Sequence, residues 1–393
     1  MNEQIEAIRP RLNSIQQRAL IVGVIGTAGI VAGAFMDSEQ FYRSYLVGYL
    51  FWIGIPLGSF CLLMLHNLVG GPWGFTIRRL LEAGAKSLPL MAILFIPLLF
   101  GTHSLYEWTH ADIVAKDEVL KNKEFYFNLN FFYARVAIYF LFWIGYSLLI
   151  LRMVRRREKN GESPVSPGLQ NLSGLGIVLF AITITLAVID WAMSIEPHWS
   201  STIYGLILII GQALSTFCFS VIMVASMMGM APKFAEKIRA VYFHDLGNFM
   251  LAFTLLWAYT SLSQLIIIWG ANLPEETPWY AVRLYTSWKI VPIILFAFHF
   301  FAPFFLLLSR KIKRNPKFLM RVAMLLILMR LVDLIWFIEP AFNRTGFHVS
   351  WMDFVAPIGI GGIFIYWYIG RLKGADTMLP VNTPFLAQQA EHH

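Results

Sequence analysis

Ten runs of about 20 apolar residues alternate with short polar stretches along the chain, near 19–36, 45–69, 87–105, 130–151, 174–194, 203–228, 247–269, 288–308, 317–338 and 354–370. Each is long enough to cross roughly 30 Å of hydrocarbon, and an apolar chain in lipid must satisfy its own backbone groups. The pattern therefore predicts an all-α polytopic membrane protein with about ten transmembrane helices. The linkers are too short for a separate soluble domain. Residues 1–18 carry Glu3, Glu6, Arg9 and Arg11 without a small-residue cleavage site, and read as a lead-in, not a removed signal. The longest loop, 106–129, holds "HADIVAKDEVLKNKEF", which predicts an amphipathic surface helix.

Composition supports this solvent. The chain is 58% hydrophobic and 14% charged, against about a quarter charged in soluble domains. Charge then supplies orientation. The segments 1–18, 70–86, 152–173, 229–246, 309–317 and 371–393 carry 21 Lys and Arg, whereas the opposite loops carry 6. By the positive-inside rule the basic side, with both termini, is cytoplasmic. Runs such as "RMVRRREK" and "SRKIKRNPK" then touch anionic lipid headgroups and require no nucleic-acid partner.

A motif recurs across the chain. "DWAMSIEP" at 190–197 closes the fifth run, and "DLIWFIEP" at 333–340 repeats its Asp and Ile-Glu-Pro spacing at the end of the ninth. Cys61 in "GSFC" and Cys218 in "STFC" lie in runs two and six; Arg135 and Lys289 open runs four and eight. Every pair is four helices apart, an even number, so the copies have parallel topology. Two four-helix units follow, 45–194 (runs two to five) and 203–338 (runs six to nine), flanked by the first and last runs. Small residues at Gly29, Gly33, Gly359, Gly361 and Gly362 in those flanking runs allow close helix approach, either to a neighbouring subunit or to the chain's own bundle.

Redox ligands are scarce. Two cysteines 157 residues apart cannot hold an iron–sulfur cluster, no C-x-x-C-H is present, and His66, His103 and His299 lie at different depths on different helices. The expectation is a subunit without a bound metal or covalent cofactor. The intramembrane polar residues are more informative. At 1.5 Å per residue, Asp190, Asp333, His103 and Gln264 fall in the non-cytoplasmic third, where Arg135 also enters. Glu107, Glu196 and Glu339 fall at the interface itself; His299 and Tyr259 lie nearer the middle, with His66 and Gln212 as extensions. Buried carboxylates can take up and release protons and generally face a bundle interior or a wet cavity. These residues, with Arg330 beside Asp333, are candidates for a proton path, a quinol pocket, or both; an internal Arg330–Asp333 tie is the plainer reading of that pair. Trp191, Trp199 and Trp336 are expected at interface level without a site role, and His198 on the outer surface.

The "IDWAMSIEPHWSSTIYG" segment, the ten runs, the four-helix repeat and the scarcity of redox ligands together resemble the NrfD-like family of polysulfide-reductase membrane subunits. More narrowly, the chain is similar to the smaller such subunit of alternative complex III, a bacterial quinol:cytochrome c oxidoreductase. The resemblance implies a bacterial inner-membrane protein beside a larger homologous subunit, with periplasmic multihaem cytochrome c and iron–sulfur subunits accepting electrons. It also implies quinol or menaquinol as the substrate and acidic bundle residues as proton carriers. A secondary transporter and a purely structural scaffold are the competing expectations.

Overall fold

The computed structural model describes residues 3–161, 166–230 and 238–374; residues 375–393 of the expected tail lie outside them. Every described element is helical. In chain order the principal helices are α1 (Glu3–Met36), α2 (Ser38–Val69), α3 (Pro72–Ala85), α4 (Leu88–Phe100), α5 (Leu129–Lys159), α6 (Pro167–Trp191), α7 (Tyr204–Met230) and α8 (Ala240–Ala271). They continue with α9 (Thr277–Tyr285), α10 (Ser287–Leu308), α11 (Pro316–Phe342) and α12 (Met352–Lys373). Their starts obey local chemistry. The side chains of Asp37, Asn128, Ser166 and Asn315 accept first-turn N–H groups of α2, α5, α6 and α11, and prolines occupy the first turns of α6 and α11.

Among the described residues, 8 helices are long and apolar enough to cross a membrane, and up to 9 if α3 and α4, bent by 42°, form one broken span. These helices mark a multi-pass membrane protein. Two of the expected ten runs fall outside that set of 8. The ninth run forms α11, of sufficient length, but every 18-residue stretch of it holds Arg330 and Asp333 together with Arg321 or Glu339, which takes it out of the apolar set. The third run is the second half of a bent pair.

That pair is the main correction to the sequence reading. Residues 70–86 were expected as a basic loop, yet α3 is buried along nearly its whole length. Gly70 and Gly71 at φ 66° and 98° turn the chain back from α2 in a conformation that suits glycine. The charges enter because they neutralise one another. Arg79 Nη1 donates to both Glu82 carboxylate oxygens at 3.0 Å, Arg79 Nη2 donates to Glu158 at 3.1 Å, and Arg78 Nη1 lies 3.2 Å from His66 Nδ1. His66 Nε2 lies 3.1 Å from the Gly71 carbonyl, so both ring nitrogens are occupied.

Helices α2 and α7 form the centre. They meet where Gly58 is so close that a Cβ would lie 2.2 Å from Thr216 Oγ1, and where Gly54 abuts Gln212. Helix α1 packs on α12 through glycines on both sides: a Cβ on Gly26 would stand 2.4 Å from the Gly359 Cα, and one on Gly362 would stand 2.3 Å from the Gly23 nitrogen. The small-residue faces of the flanking helices thus serve this chain's own bundle. Gly359→Leu is expected to cost about 1–3 kcal/mol by prying α1 away. Faster proteolysis of α1 in detergent would report this; wild-type resistance would contradict it.

The ends of the bundle bearing 106–129 and 270–287 are called outer below. The loop 106–129 holds two short helices, Ala111–Val114 and Glu118–Lys123, in place of one amphipathic helix, because Asp117 breaks the first and caps the second. His198 is exposed, as expected, and its Nε2 lies 2.5 Å from Asp117 Oδ2. That hydrogen bond, with the N–H groups of Leu120 and Val119, holds the Asp117 carboxyl below its ordinary 3.8. A depressed folded-state pKa stabilises above the unfolded value and is lost as pH falls through the folded one. Protection of the amides in 117–123, taken relative to their free exchange rates, is therefore expected to hold at neutral pH and to be lost only below about pH 4; loss of protection already at near-neutral pH would show that the Asp117 carboxylate does not hold this turn.

Candidate functional site

Of the carboxylates buried near the outer ends, two carry the repeated motif, Asp190 on α6 and Asp333 on α11. Asp190 occupies the last turn of α6. Helix α5 presents Arg135 and Tyr139 one turn apart, and both reach it: Arg135 Nε donates to Oδ2 and Nη2 to Oδ1, each at 2.9 Å, and the Tyr139 hydroxyl donates to Oδ2 at 2.7 Å. This is a two-pronged charged pair whose planes match. Arg135 also donates from Nη1 to the Tyr126 carbonyl at 2.9 Å and lies over the Tyr126 and Phe131 rings at 3.9 and 4.4 Å. Asp190 has no basic neighbour on its own helix; the next helix supplies one.

Asp333 has a different arrangement. Its Oδ2 accepts from Arg330, one turn back on α11, and from Trp257 Nε1 of α8 at 3.2 Å. Arg330 reaches on to the Leu208 carbonyl at 3.4 Å and fills the space over Gly211, where a Cβ would meet its guanidinium carbon at 2.3 Å. The Arg330–Asp333 tie expected from their spacing is present. Unlike Asp190, however, Asp333 also lines a cavity of about 500 Å³ bounded by α8, α9, α10 and α11, with Ile207 of α7.

The cavity wall is mostly apolar and aromatic, with Trp257, Trp279, Phe296 and Trp336 among its residues. Gln264 lines it and is 2% exposed, and its side-chain nitrogen has no hydrogen-bond partner. A buried amide donor left unpaired costs about 1–3 kcal/mol, which a ligand acceptor would recover. The rim faces outward: Tyr259 is 69% exposed and Phe296 59%. Tyr259, expected near the middle of the membrane among the buried polar groups, is a rim residue on the lipid-facing surface.

His299 lies behind this wall. It is fully buried on a π-helical turn, Phe296–Phe301, stacked on Trp257 with ring centroids 4.1 Å apart. Neither ring nitrogen meets a partner in hydrogen-bond geometry, although the Met329 carbonyl lies beside the ring. The wide turn has a local cause: Pro303 has no N–H to donate to the carbonyl four residues back, that of His299.

Other candidates lie apart. Glu196 accepts from Arg283 Nη2 at 2.8 Å. Arg283, fully buried on α9, also donates to the carbonyls of Trp279, Trp336 and Phe337 at 3.0, 3.2 and 3.0 Å. One guanidinium thus joins the turn after α6 to the outer end of α11. Glu339, expected at the interface, is buried: one carboxylate oxygen accepts from Asn343 at 3.3 Å and the other has no partner. Near it, Asp353 accepts from Ser44, from Gln40 at 3.2 Å and from the Ser350 N–H at 2.7 Å. His103 is exposed at the outer end and packs edge-on against His110, away from both carboxylates. Lys289 is exposed and pairs with neither. Trp191, Trp199 and Trp336, expected at the interface, are buried in aromatic clusters inside the bundle. Gln212 is buried between α2 and α7.

The structure therefore brings Arg135 to Asp190, Arg330 to Asp333, and Gln264 and Tyr259 to the cavity beside Asp333, with His299 one ring behind. Sequence reasoning missed Tyr139, Trp257, Arg283 and Asp353. Only Tyr139 had a signal, standing four residues after Arg135 on one helix face. Among the described residues, no group of three or more His, Cys, Asp or Glu could hold a metal ion. In comparisons with known proteins, no family model and no curated protein matches the chain.

Proposed function

We propose that the chain is an integral membrane subunit of a quinol:electron-acceptor oxidoreductase of the NrfD-like kind. In this reading it has ten spans in two parallel four-helix units, lies in a bacterial cytoplasmic membrane with both termini inside, and assembles with a larger homologous subunit. Multihaem cytochrome c and iron–sulfur subunits dock on its outer face and take the electrons. This chain contributes a quinol-head cavity on α8–α11 and a carboxylate, Asp333, beside it.

The observation that supports this reading is the cavity itself. Its volume lies in the small-ligand range, its walls suit a flat ring and an isoprenoid tail, and its few polar groups converge. Gln264 offers a donor to a quinone oxygen. Asp333 offers an acceptor for a quinol hydroxyl proton. The exposed rim at Tyr259 and Phe296 admits a ligand arriving from lipid. Asp190, fully paired and outside that cavity, supports a structural part for the first unit.

The test uses the tryptophans. Trp257, Trp279 and Trp336 line the cavity, so a short-chain quinol analogue is expected to quench the purified chain's fluorescence saturably, with part of the quench lost in Trp257→Phe. Linear, unsaturable quenching would remove the cavity from the reading. Co-purification with multihaem and iron–sulfur proteins is expected from native membranes; isolation as a lone active protein would favour a transporter.

A further inference from the structure

A second cluster lies at the basic end of the bundle, opposite the carboxylates. Lys86 sits at the corner between α3 and α4. Helices α5 and α12 both pack against α3 and α4, and carry Arg155, just before the last turn, and Arg371, in the last turn, at the same end of the bundle. The two arginines are exposed; the Arg79–Glu158 pair at 3.1 Å ties the end of α5 to α3, and the Tyr368 hydroxyl, donating to the Leu80 carbonyl at 3.1 Å, ties the end of α12 to the same helix.

The local anions are already committed. Glu82 is held by Arg79 through both oxygens and by Arg78 at 3.5 Å, leaving Lys86 at 3.9 Å; Glu158 is held by Arg79. Among the described residues, five cations, Arg78, Arg79, Lys86, Arg155 and Arg371, thus face two carboxylates, and Arg155 and Arg371 make no ion pair there. Like charges gathered beside hydrocarbon repel one another unless an anion lies among them. Arg371 lies flat over the Trp367 ring at 4.3 Å, and the Trp367 indole N–H, shielded from solvent, has no partner. That is an orphan donor beside the cations, where a phosphate oxygen would accept from it.

We propose that Lys86, Arg155 and Arg371, with the Trp367 indole N–H, bind the phosphate group of an anionic phospholipid at the basic-side membrane surface. Lipid is the source to which the placement points. Helices α4 and α5 expose Ile93 and Leu148 on their sides, so acyl chains have apolar surface to lie against below a phosphate at this corner. A free anion would gain the charges but none of that surface.

The experiment is native mass spectrometry of the full chain, delipidated in detergent and titrated with phosphatidylglycerol, with phosphatidylcholine, or with inorganic phosphate. Phosphatidylglycerol is expected to bind at least tenfold more tightly than phosphatidylcholine. Each cation removed should weaken it by about fivefold, and Lys86→Gln/Arg155→Gln/Arg371→Gln by about a hundredfold. Should the triple variant fold poorly, Arg155→Gln/Arg371→Gln, altering two exposed side chains only, is expected to lose about 25-fold. Equal binding of the two lipids, or unchanged phosphatidylglycerol binding in the double variant, would overturn the site. Displacement of phosphatidylglycerol by inorganic phosphate at equal concentration would overturn the lipid assignment.

Discussion

Replacing Arg135 by Leu is expected to destabilise the protein by about 3–5 kcal/mol, the usual cost of leaving one partner of a buried ion pair uncompensated. The geometry places Arg135→Leu at the upper end. Both Asp190 oxygens lose a donor at 2.9 Å, and only Tyr139 continues to hold the carboxylate. Asp190→Leu leaves the guanidinium with the Tyr126 carbonyl and two ring faces, so its expected cost is smaller, about 2–4 kcal/mol. The double variant Arg135→Leu/Asp190→Leu removes both desolvated charges together and is expected to lie within about 1–2 kcal/mol of wild type. Unfolding in detergent, read as a double-mutant cycle, checks all three. Additive losses would show that the pair does not act as a unit, and single losses below about 1 kcal/mol would remove its structural role.

Asp190 illustrates what a sequence conveys and what it withholds. An aspartate ending an apolar run is conspicuous, because its burial is costly without a partner. Its partner is not conspicuous: Arg135 lies 55 residues away, and nothing local tells it from a basic anchor at a helix end. Asp333 was legible together with its partner, since Arg330 is three residues back on the same helical face. The cavity beside Asp333 was not legible, because it is assembled from five helices, one of which, α9, reads as loop. The mistaken loop at 70–86 has the same origin. Counting Arg78, Arg79 and Lys86 as basic is sound bookkeeping for an exposed segment. It fails where Glu82, three and four residues on, and Glu158 of α5 together pair with the two arginines and let the whole helix enter the bundle.

The same distinction between a paired and a cavity-lining carboxylate governs the second large effect. Asp333→Asn keeps the side-chain shape and an acceptor for Trp257, but withdraws the negative charge from the cavity wall. Quinol-analogue affinity is expected to fall by about 10- to 100-fold, since hydrogen bonds to charged groups contribute about 1.5–3 kcal/mol. Arg330 would lose its carboxylate while keeping the Leu208 carbonyl, so stability is expected to fall as well, and binding must be measured where the variant remains folded. Phe296→Trp supplies the control free of that loss. Phe296 is a half-exposed rim residue, and a larger ring there should obstruct entry from the lipid side while leaving Asp333, Trp257 and Gln264 in place. Weak binding in both variants would tie the ligand to this cavity by charge and by shape. Wild-type affinity in Phe296→Trp together with loss in Asp333→Asn would mean that the ligand enters elsewhere. Wild-type affinity in both would leave Asp333, like Asp190, a structural tie whose cavity binds no quinol.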